Sequence, residues 1–299
     1  MFDFEELKHH HTHTSAATDE VNTQTHTKVS NALLRILTAV IGAPLLLGLV
    51  YLGGWYFGVL VLVLGLLAQH EVYGLMEQAA VRPWKVAGLL LGALLALRAL
   101  VPLALPLAVV GLLGVLAWSP FSKSKEPLSS LGGTVLGVLY PTALLAFLTD
   151  LRLAQGPTVG DQEAFLLTLT VFLLIWATDI LAYYTGKVLG KHKLAPTISP
   201  KKTWEGAIGG ALGAVAVAGV LKLTLIAFLA WPHVIALALI CGVISQVGDL
   251  AESRFKRSVG AKDSGTILPG HGGVLDRFDA MVLAVPLAYL YLAYVARLF

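Results

Sequence analysis

Residues 164–186 read AFLLTLTVFLLIWATDILAYYTG, and Asp179 is the only formal charge among them. A helix needs about 20 mostly apolar residues to cross the hydrocarbon of a bilayer, where every backbone polar group must be bonded within the segment. This run therefore fixes the class as an all-α, polytopic integral membrane protein. The same ruler gives about nine spans, near 33–52, 55–76, 86–101, 102–118, 130–149, 164–186, 204–229, 233–252 and 279–298. The third and fourth are short, with Pro102 and Pro106 at their join, and read either as two spans or as a partly re-entrant hairpin. Composition agrees. The 299-residue chain is 57% hydrophobic and 13% charged, against about 25% charged in soluble domains, and its mean hydropathy is +0.77. A net charge of +3 is too small to name a partner, and no nucleic-acid partner is expected. Cys241 is the sole cysteine, so no intrachain disulfide forms.

Outward from that run, the loops set an orientation. Residues 1–30 hold a His-rich stretch, His9 to Thr14, among scattered acids, and read as a solvated, disordered tail rather than a signal peptide. Residues 31–150 read as N-terminal membrane helices and 151–299 as the catalytic helices. With the N-terminus in the cytoplasm, one set of loops carries Arg82 and Lys85, then Lys123 and Lys125. The same set continues with Lys187, Lys191, Lys193, Lys201 and Lys202, and ends with Arg254, Lys256, Arg257, Lys262 and Arg277. The opposite loops hold Arg152 beside Asp150, Asp161 and Glu163. This satisfies the positive-inside rule and puts the polar loops 187–203 and 253–278 on one cytoplasmic face.

Those two loops carry the chemistry. Asp179 inside an apolar run is a functional candidate, because an intramembrane charge is expensive; the plainer reading is a helix-end acid paired with lysine. Tyr183 shares its face at i+4, as a ligand contact or an interfacial anchor. Ser199, Lys201, Lys202 and Thr203 follow, stiffened by Pro196 and Pro200, just before a helix start carrying Glu205. Lysines there suit an anion, since the free N–H groups and the dipole add to their charge. Gly206, Gly209, Gly210 and Gly213 allow close helix packing, within the chain or between copies. Asp249 ends the eighth run; Asp276 and Asp279 open the ninth. Three carboxylates from two helix ends could hold Mg²⁺, which favours a few carboxylates plus water and substrate phosphate. The alternative is a capping role for Asp276 and an arginine partner for Asp279. The turn Pro269 to Gly273 could bring amides to phosphate, with His271 as proton donor or structural residue. Glu71, beside His70 near the end of the second span, reads as interfacial.

Ser253, Lys256-Arg257, Lys262-Asp263, His271-Gly272-Gly273 and Asp276-Arg277-Phe278-Asp279 resemble, at every position, the signature of phosphatidate cytidylyltransferases, the CDP-diacylglycerol synthases. Asp179-x-x-Ala182-Tyr183-x-x-Gly186 and Ser199-Pro200-Lys201-Lys202-Thr203-x-Glu205-Gly206 are similar to the same family, so the resemblance is strong over about 176–281. It is looser over 31–150, through Arg35 and Leu139-Tyr140-Pro141, and absent from the tail. The resemblance implies the reaction CTP + phosphatidic acid → CDP-diacylglycerol + pyrophosphate. It also implies two divalent or mixed cations, Mg²⁺ among them, at Asp249, Asp276 and Asp279, and often a homodimer.

On that reading Asp249, Asp276, Asp279, Lys262 and His271 are catalytic. Asp179, Tyr183, Ser199, Lys201, Lys202, Thr203, Glu205, Lys256, Arg257, Gly272, Gly273 and Arg277 bind substrate. The expected location is the inner (plasma) membrane, with the site facing the cytoplasm in a polar cavity among the last four helices. A CTP-dependent lipid or polyprenol kinase would release CDP instead of pyrophosphate. A transporter would explain Asp179 and Asp249 but not the signature loop.

Overall fold

The computed structural model describes residues 40–267 and 272–299. The tail at 1–30, the start of the first span and His271 lie outside the described residues.

Among the described residues, nine apolar helices follow one another in the expected order. They are α1 (Val40–Leu52), α2 (Gly54–Gln78), α3 (Lys85–Ala96), α4 (Ala104–Phe121), α5 (Pro127–Arg152), α6 (Asp161–Leu189), α7 (Trp204–Thr224), α8 (Trp231–Ser258) and α9 (Leu275–Val295). Seven are long and apolar enough to cross a membrane, while α1, in its described part, and α3 are shorter. The third span is thus no full crossing by its own length: the 12 residues of α3 rise about 18 Å, against a hydrocarbon core of about 30 Å. The multi-pass, all-α class stands.

Polar side chains join α2 to α5 inside the apolar region. Gln69 Nε2 donates to Tyr73 Oη, and Tyr73 Oη donates to the Thr134 carbonyl, each at 2.9 Å. Thr142 Oγ1 lies 2.8 Å from both the Gly65 carbonyl and Gln69 Oε1. Such pairing is what keeps polar side chains from being costly away from water. Tyr140 and Pro141 kink α5, since proline lacks the N–H that would continue the helix. At the opposite end Arg152 is buried, donating to the Val50 and Tyr51 carbonyls and to Asp161, and so fixing the end of α1. The core is drawn mainly from α2, α5, α6, α8 and α9, with Phe57, Leu148, Phe172, Leu237 and Val285 buried in it.

The boundaries nearest the polar loops differ from the expected ones. Helix α8 runs on to Ser258, six residues past the expected 252, so the segment from Ser253 begins as helix. Apolar patterning stops there, but Glu252 and Lys256 form an i,i+4 ion pair at 2.6 Å that favours continued helix. Helix α9 begins at Leu275, so Asp276 and Asp279 both lie on helix. Within 187–203 a short antiparallel hairpin forms, β1 (Lys193–Ala195) with β2 (Ser199–Thr203), beyond an α6 that extends to Leu189. Glu71 is buried within the protein, 4% exposed, and not an open side chain.

Candidate active site

The most extensive helix pair is α6 with α7, and glycines make it so. A Cβ on Gly206 would meet the Ala182 carbonyl at 2.8 Å, and one on Gly210 would meet the Thr178 carbonyl at 2.8 Å. The glycine row therefore serves packing within the chain. Thr203 closes the hairpin and caps α7, its Oγ1 accepting from Gly206 N at 3.2 Å. Glu205 secures the other side. Its carboxylate accepts from the Lys191 and His192 amides at 3.1 and 3.2 Å and meets His192 Nδ1 at 2.6 Å. Thr203 and Glu205 are thus committed to holding the hairpin on the helix start.

That arrangement opens a cavity of about 410 Å³ between α6, the hairpin, α7 and α8. Asp179 and Tyr183 line it from α6, Lys201 and Lys202 from β2, and Asp249 from α8. Lys202 Nζ lies 2.5 Å from Asp249 Oδ2, with both side chains partly open to the cavity. Ser253 Oγ donates to the other oxygen of Asp249 at 3.3 Å. Asp179 and Asp249 face the same cavity. The acid of the opening run therefore shares its surroundings with a second carboxylate and with Lys201 and Lys202 rather than standing as a lone helix-end charge. Asp279 Oδ1 accepts from Ala280 N at 2.7 Å.

Asp276 belongs to a second, drier group. Its carboxylate accepts from Lys256 Nζ at 2.6 Å, from Ser264 N at 3.0 Å and from Gly273 N at 2.8 Å. Lys256 is buried and also pairs with Glu252, whose side chain is fully buried. Arg257 donates to the Ile198 and Ala261 carbonyls at 3.3 and 2.7 Å, tying the hairpin turn to the loop after α8. Lys262 and Arg277 are exposed, Ser199 is half-buried, and Gly272 takes φ +82° beside Asp276. Of the expected acidic trio, Asp249 faces Lys202 and Ser253, Asp276 is held by Lys256 and two backbone amides, and Asp279 bonds the Ala280 amide.

Among the described residues, no three His, Cys, Asp or Glu side chains form a ready metal cage. The donor set still fits a hard divalent cation. Asp179 and Asp249 bring carboxylates from α6 and α8 to one cavity, and Lys202 is the cation seen directly against Asp249. Mg²⁺ tolerates such sparse protein ligation because water and substrate phosphate complete its shell.

A cavity lined by carboxylates and lysines, in a chain of helices long and apolar enough to span a membrane, marks a multi-pass membrane enzyme. The chain belongs to the cytidylyltransferase family, whose model, described as "Cytidylyltransferase family", matches residues 33–295. It is 41% identical over 280 residues to a phosphatidate cytidylyltransferase of Brucella abortus, covering 88% of this chain and 94% of that one. It is 36% identical over 281 residues to one from Synechocystis (85% and 94% covered). To one from Bacillus subtilis it is 33% identical over 270 residues (87% and 97% covered).

Proposed function

We propose that this chain transfers the cytidylyl group of CTP to phosphatidic acid, giving CDP-diacylglycerol and pyrophosphate. The observation carrying this is the cavity that gathers Lys201 and Lys202 with Asp179 and Asp249, in a chain of the cytidylyltransferase family whose relatives are named phosphatidate cytidylyltransferases. A phosphate oxygen of phosphatidic acid attacks the α-phosphorus of CTP. The bond from that phosphorus to the oxygen bridging to the β-phosphate breaks, and pyrophosphate leaves with the electron pair. An ionised phosphomonoester is already nucleophilic, so positioning and charge neutralisation carry the rate. Lys201 and Lys202 neutralise phosphate oxygens inside the cavity, and the exposed Lys262 and Arg277 do so at its rim. Asp179, Asp249 and Asp279 would hold the divalent cation, which would supply charge stabilisation for the departing pyrophosphate. Asp276 holds Lys256 and the loop amides in place.

The acyl chains stay in lipid while CTP comes from water. Polar-headed lipid reaches the site past the exposed faces of Tyr183 and Trp204. We place the protein in the inner (plasma) membrane with this face towards the cytoplasm, supported by the lysine-rich hairpin and the bias of its companion loops. We also propose a homodimer. The apolar, exposed Ile208, Leu212 and Leu223 of α7 are available to a second copy, and a monomeric mass in detergent and in nanodiscs would count against it.

The test is turnover of detergent-purified protein with phosphatidic acid, α-labelled CTP and Mg²⁺, beside Asp249→Ala. Label in the lipid phase with pyrophosphate release, lost in the variant, is the expected result. Label remaining aqueous as CDP would make the protein a kinase. No turnover by folded protein would overturn the reading.

A further inference from the structure

We infer that Glu71, on α2 and some two hundred residues from the signature loop, is a positioning residue that caps α9 from outside and thereby sets where Asp276 and Asp279 stand; this rests on the function proposed above. The first N–H groups of any helix lack partners within it, and Val274 before α9 supplies no side-chain cap. Glu71 fills that role across the fold. Its Oε1 accepts from Val274 N at 2.8 Å, and its Oε2 accepts from Leu275 N at 2.8 Å and from Ser264 Oγ at 3.0 Å. A carboxylate at a helix N-terminus is favoured by the dipole as well as by the hydrogen bonds. Ser264 extends the arrangement, because its own N–H donates to Asp276. Glu71 thus holds both sides of Asp276: the helix that carries it and the loop residue that binds it.

The glycines agree. A Cβ on Gly265 would meet Glu71 Oε1 at 2.6 Å, and one on Gly273 would meet Glu71 Oε2 at 2.5 Å and also collide with Ser264 Oγ. Both positions lack side chains where the Glu71 carboxylate passes. Gly273, read from sequence as a phosphate-facing residue, has a second reason to be glycine: its backbone lies against this buried carboxylate. Outer partners that orient directly acting groups typically cost about 10–100-fold in activity when removed.

The experiment uses the full chain in detergent. Glu71→Ala and Ser264→Ala are compared with Arg152→Met, which loosens the fold at the far end. Amide hydrogen exchange is followed by peptide, and kcat and KM for CTP are measured. Expected for Glu71→Ala is faster exchange confined to peptides covering 272–280, with α6 and α7 unchanged. Its kcat should fall about 10–100-fold with little change in KM. Ser264→Ala, which removes one contact of three, should move both readouts the same way but less, and stands in if Glu71→Ala does not fold. Unchanged exchange at 272–280 would overturn the inference. So would a kcat loss no greater than that of an Arg152→Met protein of equal thermal stability. If the wild type makes no CDP-diacylglycerol, the proposed function fails, and the exchange arm still decides whether Glu71 caps α9.

Discussion

Lys202 and Asp249 are the residues on which the site turns. Their 2.5 Å contact links β2 to α8 at the cavity lining, and each is partly solvated, so little folding stability rests on the pair. Their value is in catalysis. Lys202→Met should lower kcat by about 10²-fold, the usual scale for losing one preorganised charge at a reacting group, with the protein still eluting as a folded species. Asp279→Ala should abolish turnover and leave the fold intact, since among the described residues its carboxylate makes one short local hydrogen bond, to Ala280 N. Near-full activity in that variant would refute the cation-holding role. Chelation by EDTA should stop turnover and added Mg²⁺ should restore it; activity that survives exhaustive chelation would do the same.

At the scale of elements, the unit that matters is α6, the hairpin and α7. Sequence showed the lysines and the glycine row but not how they cooperate. The glycines at 206 and 210 bring α7 against the carbonyls of α6, and that contact presents β2 over Asp179. Gly210→Val should therefore cost about 1–3 kcal/mol through overpacking, read as a lower thermal midpoint in detergent. A midpoint equal to wild type would show that α6 and α7 separate easily. The apolar runs made the helix order legible, because length and hydropathy are local properties. The ends were less so. Helix α8 continues through Ser258 because the Glu252–Lys256 pair supports helix where hydropathy has already stopped. The β1–β2 hairpin was hidden because its support, Glu205, comes from the following helix.

At the scale of the whole molecule, orientation and assembly of the site belong together. Cys241 is fully buried, so a cysteine introduced at the exposed Thr197 should be the one thiol open to a membrane-impermeant maleimide. Labelling in inverted vesicles but not in sealed right-side-out cells is expected; the reverse would put the hairpin outside. The sequence by itself determined the membrane class, the order of the helices and the two motifs that carry the family. These follow from hydropathy, charge and spacing, which need no knowledge of what touches what. Only the tertiary structure decided that Asp179 shares a cavity with Asp249, that Asp276 is held by Lys256, and that Glu71 is buried against the start of α9. Partners up to two hundred residues apart meet there, and the linear pattern around Glu71, an acid near a helix end, is the same whether its carboxylate faces water or a row of unpaired amides.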